Sequence, residues 1–168
     1  MFWKLAAMWS GVVGGCLLAA CGPRVPPLEH TYETPAAVAD AVLSALANRD
    51  LVRLRAIAVD EREFADHVWP DLPAARPERN LPLAFVWGDL QQKSESALTE
   101  ILARHGGRRY ALVALRFLGG STPYRSYVVH RKTELVVREA SGATRAIRVF
   151  GSLLAQGQRL KVFSYVVD

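Results

Sequence analysis

The stretch LQQKSESALTEILARHGGRRYALVALRFLGG, Leu90–Gly120, changes period in its middle. Leu90, Ser94, Ala97, Leu98, Ile101 and Leu102 recur at helical spacing. His105-Gly106-Gly107 then ends the helix, because glycine takes the left-handed turn that closes a helical C-terminus. From Tyr110 to Leu118 the chain is rich in β-formers. Helices up to a glycine pair and strands after it predict an α+β domain.

Toward the C-terminus, Gly119-Gly120-Ser121-Thr122-Pro123 reads as a turn and residues 124–138 as a long, bent strand. Ala140-Ser141-Gly142 turns the chain again. Residues 144–154 and 159–167 read as two further strands, joined at Gln156-Gly157-Gln158. Four sequential strands with short turns predict an antiparallel meander. Toward the N-terminus, Leu83-Ala84-Phe85-Val86-Trp87 fits either a short strand or a helix start, and Gly88-Asp89 reads as a break. Residues 70–82 hold Pro70, Pro73, Pro77 and Pro82 and read as a loop. Thr34-Pro35 opens a first helix, with Val38, Val42, Ala45 and Leu46 on one face. Asp50 caps a short second helix with Leu51, Leu54 and Ile57 inward. Asp60 and Glu63 have the spacing of a capping box, with Phe64 and Val68 inward after it. The expected fold is α+β, with N-terminal helices packed on one face of a bent, about four-stranded antiparallel sheet.

This order of elements is similar to the nuclear transport factor 2-like superfamily, the cystatin-like α+β roll. Ala45-Leu46-Ala47-Asn48-Arg49-Asp50-Leu51 resembles the usual link between its first two helices. The resemblance covers residues 34–168. It implies a sheet wrapped into a cone that is open at one end. Some members bind small apolar ligands there, some are isomerases or dehydratases, and many are scaffolds or dimerisation modules. Fold does not choose among these.

The chain opens MFWKLAAMWSGVVGGCLLAAC. Lys4 gives a positive start, Leu5 to Leu18 an apolar stretch, and small residues follow, which is signal-peptide grammar. The uncharged run over residues 5–22 nearly reaches the length of a membrane span, but four glycines weaken that helix. Leu18-Ala19-Ala20-Cys21 resembles the lipobox of bacterial lipoproteins. The resemblance implies cleavage of residues 1–20, diacylglyceryl transfer to the Cys21 thiol and, in Gram-negative bacteria, acylation of the new amine with a chain such as palmitate. Gly22, where an Asp would signal inner-membrane retention, implies the periplasmic side of the outer membrane if the cell is Gram-negative. Pro23, Pro26 and Pro27 make residues 21–33 an expected linker that would reach about 35 Å at about 3.1 Å per residue, unless part of it, through His30 and Tyr32, lies along the domain surface. Residues 34–168 are then a single domain. Its only companion cysteine is Cys16, inside the signal, so core packing must hold it without a disulfide.

With 51% hydrophobic and 22% charged residues, the composition is that of a globular chain. Residues 33–106 carry a balance of −4 and residues 107–168 one of +8. Arg116, Arg125, Arg131, Lys132, Arg138 and Arg148 are therefore candidates for an anionic surface, with Arg108, Arg109 and Arg145 beside them. The plain alternative is a solvated sheet face. Export argues against nucleic acid as a partner. No HxxxH, HxH or cysteine-rich spacing offers a metal site, and no cofactor is expected. His105 at a helix C-terminus suits a partly positive imidazole. A pocket base of the isomerase kind needs a buried carboxylate, and no position here matches one. Asp66, Asp71 and Asp89 remain as loop acids, and catalytic residues are assigned to none. Trp69, Trp87, Phe150 and Phe163 are candidates to line a ligand cavity, against ordinary core packing. The expected function is a membrane-anchored lipoprotein whose non-catalytic domain binds a small apolar ligand or an envelope protein. A pocket enzyme of isomerase or dehydratase type and a structural module forming a homodimer are the alternatives.

Overall fold

A computed structural model describes residues 25–167. Signal residues 1–20 and Cys21 lie outside the described residues. The fold is α+β: helices come first and seven antiparallel strands follow.

Helix α1, Pro35–Ala47, is capped by the Thr34 side chain, which accepts from the Ala37 N–H. Helix α2, Leu51–Ile57, is capped by Asp50 in the same way through the Arg53 N–H. The capping box is present: the Asp60 and Glu63 side chains each accept from the other's backbone N–H at the start of α3, Glu61–Glu63. A π turn, Phe64–Val68, follows it. Residues 69–79 run in three short 3-10 turns, each with a proline in its first two positions.

Helix α4 runs unbroken from Leu83 to His105. This resolves the ambiguity at residues 83–87 and removes the expected break at Gly88-Asp89. A single glycine inside a helix costs only about 0.5–1 kcal/mol, less than the burial of the flanking Trp87 returns. The Gly106 N–H closes the helix on the Leu102 carbonyl.

The strands are β1 Tyr110–Phe117, β2 Ser121–Pro123, β3 Val128–Arg131, β4 Thr133–Glu139, β5 Thr144–Ile147, β6 Ser152–Gln156 and β7 Arg159–Ser164. They form two sheets, ordered β1-β4-β5 and β2-β3-β6-β7. Three of the four expected strands are bent arms that pass from one sheet to the other, and the fourth, β7, lies within one sheet. The chain does not turn at Gly119–Pro123. Leu118 and Gly119 donate to the Lys132 and Arg131 carbonyls, so pairing continues from β1 into β2, and the turn lies at residues 124–127. The expected strand 124–138 starts at Val128 and breaks at Lys132, whose φ is +53°. The expected strand 144–154 breaks between Ile147 and Ser152. Pairing slips by one residue across that bend, from Leu135↔Ile147 to Arg131↔Ser152. Such slips bend strands.

The first core lies where α1 and α2 cover the sheets: Leu46, Leu54, Leu135, Phe150, Leu153 and Val162 pack there. A second core gathers Leu28, Phe64, Val68, Trp87, Tyr127 and Leu154. Leu153 and Leu154 point into different cores, because neighbours on a strand face opposite ways. Strands β6 and β7 are thus buried on both faces. After β7 the chain is fastened by the Tyr165 N–H to Ser94 Oγ and the Tyr165 hydroxyl to the Leu54 carbonyl. It runs so close to Gly151 that a Cβ there would collide with the Val166 carbonyl.

The expected linker is part of the fold from Pro26 onward. The Pro26 carbonyl accepts from His67 Nε2, Leu28 is 4% exposed, and Tyr32 pairs with Leu160. The Glu29 N–H donates to buried Glu63 at 2.7 Å, and Glu29 pairs with Arg62. Proline marks an extended chain but does not say whether that chain is free or laid on a surface.

Candidate functional site

The bend that divides the sheet also opens it. A pocket of about 570 Å³ lies between α4 and the kinked strands. Val86, Asp89, Leu90 and Lys93 reach it from one face of α4, at i, i+3, i+4 and i+7. Thr133 and Gly151 line it at the two strand breaks, and Phe163 lines it from β7. Phe64, Leu72 and the 124–127 turn complete the wall through Tyr124 and Tyr127, whose rings stack at 4.6 Å.

The turn is held down by Asp71. Its carboxylate accepts from the Ser126 N–H at 2.8 Å and the Ser126 hydroxyl at 2.9 Å, and it pairs with Arg125 at 3.1 Å. Burial alone would raise the Asp71 pKa, but the two Ser126 donors and Arg125 outweigh it and hold the carboxyl below its ordinary value. Tyr127 is pushed well above its ordinary range, first by burial and then by Tyr124 and Asp71. It is a neutral hydroxyl that donates to the Val68 carbonyl.

The lining is sorted by depth. Phe64, Tyr127 and Val129 are buried, while Leu72, Val86, Leu90, Tyr124 and Phe163 are half-buried apolar side chains of the second core. The charged residues are Lys93, Arg131, Lys132, Arg148 and Asp89, four cations against one carboxylate. Arg131 and Lys132 are exposed, and Lys93 pairs with Asp89 at 2.7 Å on the surface. The pocket shares Asp89, Lys93, Arg148, Val166 and Val167 with an open groove of about 870 Å³ between α4 and β5. Arg104, His105 and Arg145 line that groove. A largely apolar interior thus opens onto a groove with four basic side chains, Lys93, Arg104, Arg145 and Arg148, against Asp89 and Glu100.

Compared with known proteins, the chain matches no family model, no curated protein and no solved structure. Assignment rests on the geometry.

The basic residues singled out in the sequence do not form one patch. Arg131, Lys132 and Arg148 meet at the pocket mouth. Arg116 pairs with Glu134, and Arg138 stands on the same outer sheet face as Glu134, away from the mouth. Arg125 is engaged by Asp71 at the hairpin tip. Of the aromatic candidates, Phe163 lines the pocket. Phe150 is fully buried in the first core, and Trp69 and Trp87 pack around Phe64 in the second. Trp87 also edges a smaller cavity of about 180 Å³. Sequence reasoning passed over Tyr124, Tyr127 and Lys93. The signal for the tyrosines is the β-forming run Tyr127-Val128-Val129 just after Tyr124-Arg125-Ser126, hidden because a turn expected at 119–123 merges both tyrosines into one strand.

Among the described residues no three His, Cys, Asp or Glu side chains cluster as metal ligands. Asp66 is exposed, Asp71 is tied to the turn and Asp89 to Lys93. His67 bonds Pro26 and Gln156. His105 is not the favourably charged helix end that the sequence suggested. Its pKa is lowered from the ordinary 6.5, first by burial and then by Arg145, Arg108 and Arg104. Arg145 donates to the Tyr110 hydroxyl, which shares a hydrogen bond with His105 Nδ1 at 3.0 Å. The folded state therefore favours the neutral ring. A lowered pKa gives stability that is complete above the unfolded value and is lost as pH falls through the folded one. Denaturant titrations from about pH 7.5 to about pH 5 should show stability falling with pH, and less steeply in His105→Gln. Equal slopes would place no linked proton at His105.

Proposed function

We propose that the chain is a lipid-anchored envelope lipoprotein whose domain binds a small ligand without transforming it. The observation that carries the binding half is the pocket between α4 and the bent sheet, where five apolar side chains of the second core stop half-buried. Their remaining surface would leave water only against a guest, at about 25 cal/mol per Å². The volume falls within the usual range of ligand sites, about 300–1,000 Å³. Against catalysis stands the state of the acids: Asp89 is ion-paired at the rim, and buried Glu63, which does not line the pocket, is bound to Lys161. The anchoring half rests on Leu18-Ala19-Ala20-Cys21. No helix among the described residues is long and apolar enough to cross a membrane. Because Pro26 is already docked, residues 22–25 would be the whole tether, about 12 Å at about 3.1 Å per residue. The pocket would then work beside a bilayer surface, on the periplasmic side of the outer membrane in a Gram-negative cell.

Cys21→Ala tests both halves. In cells fed a clickable fatty acid the wild-type chain should label and the variant should not. Native mass spectrometry of the unlipidated variant should show an added small mass that departs on denaturation. Continued labelling would overturn the lipobox. A bare chain mass would favour a protein partner over a small ligand.

A further inference from the structure

We propose that the pocket takes a single-chain anionic amphiphile, with its tail inside and its acidic head at the mouth. This deepens the binding reading above and rests on it. The lining residues Asp89, Lys93, Arg131 and Lys132 are exposed and Arg148 is half-buried, while the buried part of the wall is uncharged and mainly apolar or aromatic, with Phe64, Tyr127 and Val129 beside the hydroxyls of Thr133 and Ser164. The net charge of the lining is +3, from Lys93, Arg131, Lys132 and Arg148 against Asp89. A neutral apolar guest would leave Arg131 and Lys132, which no carboxylate among the described residues pairs, without use. A small anion would leave the apolar wall wet. A guest with both ends satisfies both, since the tail gains about 0.8 kcal/mol per buried methylene.

The backbone sets the head site. Lys132 sits at the break between β3 and β4 with φ +53°, so Arg131 and Lys132, successive in sequence, both line one pocket instead of facing opposite sides of a strand. In a regular strand one of them would point away. Arg131 and Lys132 make no ion pair among the described residues, whereas Arg116, Arg125 and Arg145 each have a carboxylate partner. The groove beyond, where Arg104 pairs with Glu100 and Arg145 with Glu139, leaves room for a longer tail end or a bulkier head. The head chemistry, a carboxylate or a phosphate monoester, is common to free fatty acids and to lipid breakdown products.

The test uses the full-length chain carrying Cys21→Ser, and three probes: myristate, tetradecanol and inorganic phosphate. Myristate and tetradecyl phosphate would then compare the two heads. Calorimetry should show one myristate per chain, bound about tenfold tighter than tetradecanol, the discrimination a charge-assisted hydrogen bond supplies. Arg131→Gln with Lys132→Gln should erase that difference while leaving tetradecanol binding as it was. Both side chains are exposed, so the fold should hold, and circular dichroism checks it. Tetradecanol binding as tightly as myristate would overturn the anionic class and leave the pocket standing. Phosphate alone binding as tightly as myristate would overturn the role of the tail. No binding of either long-chain probe would overturn the binding reading itself.

Discussion

Glu63→Ala is expected to destabilise the domain by about 3–5 kcal/mol, the cost of breaking a buried ion pair from one side. Lys161 lies in the middle of β7 with its side chain 2% exposed, and Glu63 is 1% exposed. Glu63 Oε2 accepts from Lys161 Nζ at 2.7 Å and from the Asp60 N–H at 3.1 Å, while Oε1 accepts from the Glu29 N–H at 2.7 Å. One carboxylate therefore joins a strand, a helix start and the N-terminal segment. Removing it leaves an ammonium and two backbone N–H groups without these acceptors in a site closed to water. Lys161→Met should cost less, because the carboxylate keeps its two backbone donors. Glu63→Gln with Lys161→Met should recover much of the loss, since a buried pair replaced as a pair is often near neutral. Urea midpoints at constant slope would measure all three. A cost for Glu63→Ala below about 1 kcal/mol would mean that water reaches the pair. The same variant should make residues 25–32 sensitive to proteolysis before the rest of the chain.

The local signals that the sequence carries plainly are the ones that depend on neighbours in the chain. Thr34, Asp50 and the Asp60/Glu63 box cap their helices as their spacing implies. The glycine pair after His105 divides helix from strand as expected. What was illegible depends on distant partners. Gly88 looked like a break, but α4 passes through it because Val86, Trp87 and Leu90 on either side are held by the second core. Gly119-Gly120 looked like a turn and is a bend, since pairing with Arg131 and Lys132 decides which glycines reverse the chain. Lys161 reads as a polar interruption in an apolar strand, and only Glu63, ninety-eight residues away, explains it. The basic residues were legible as an excess, not as a place: a kink at Lys132 and a tie at Asp71 sort them into a mouth, an outer face and a pinned tip. The pocket follows from the same kink, and no local spacing encodes that.

Phe150→Ala and Phe163→Ala should separate core from pocket, two roles that sequence alone could not tell apart. Phe150 lies in the short segment between β5 and β6, 0% exposed, among Leu46, Leu135 and Val162 of the first core. Its truncation is expected to cost about 3–5 kcal/mol, because the transfer energy of a benzyl group is joined by an unfilled cavity under a rigid sheet. It sits away from the mouth, so any chain that remains folded should bind myristate with unchanged affinity. Phe163 is half-buried on the pocket wall, and its ring already faces the space a guest would fill. Its truncation should cost less stability, because less surface is lost and the pocket can absorb the void. Its binding loss should be the larger of the two. Thermal denaturation with and without the probe gives both quantities from one experiment, since a ligand that binds only the folded state raises the midpoint by mass action. In Phe150→Ala the midpoint should fall and the ligand-induced rise should persist. In Phe163→Ala the midpoint should fall less and the ligand-induced rise should shrink. The reverse pattern would move the site from the α4 side of the sheet to the α1 side, and with it the claim that the bend at Lys132 made the pocket.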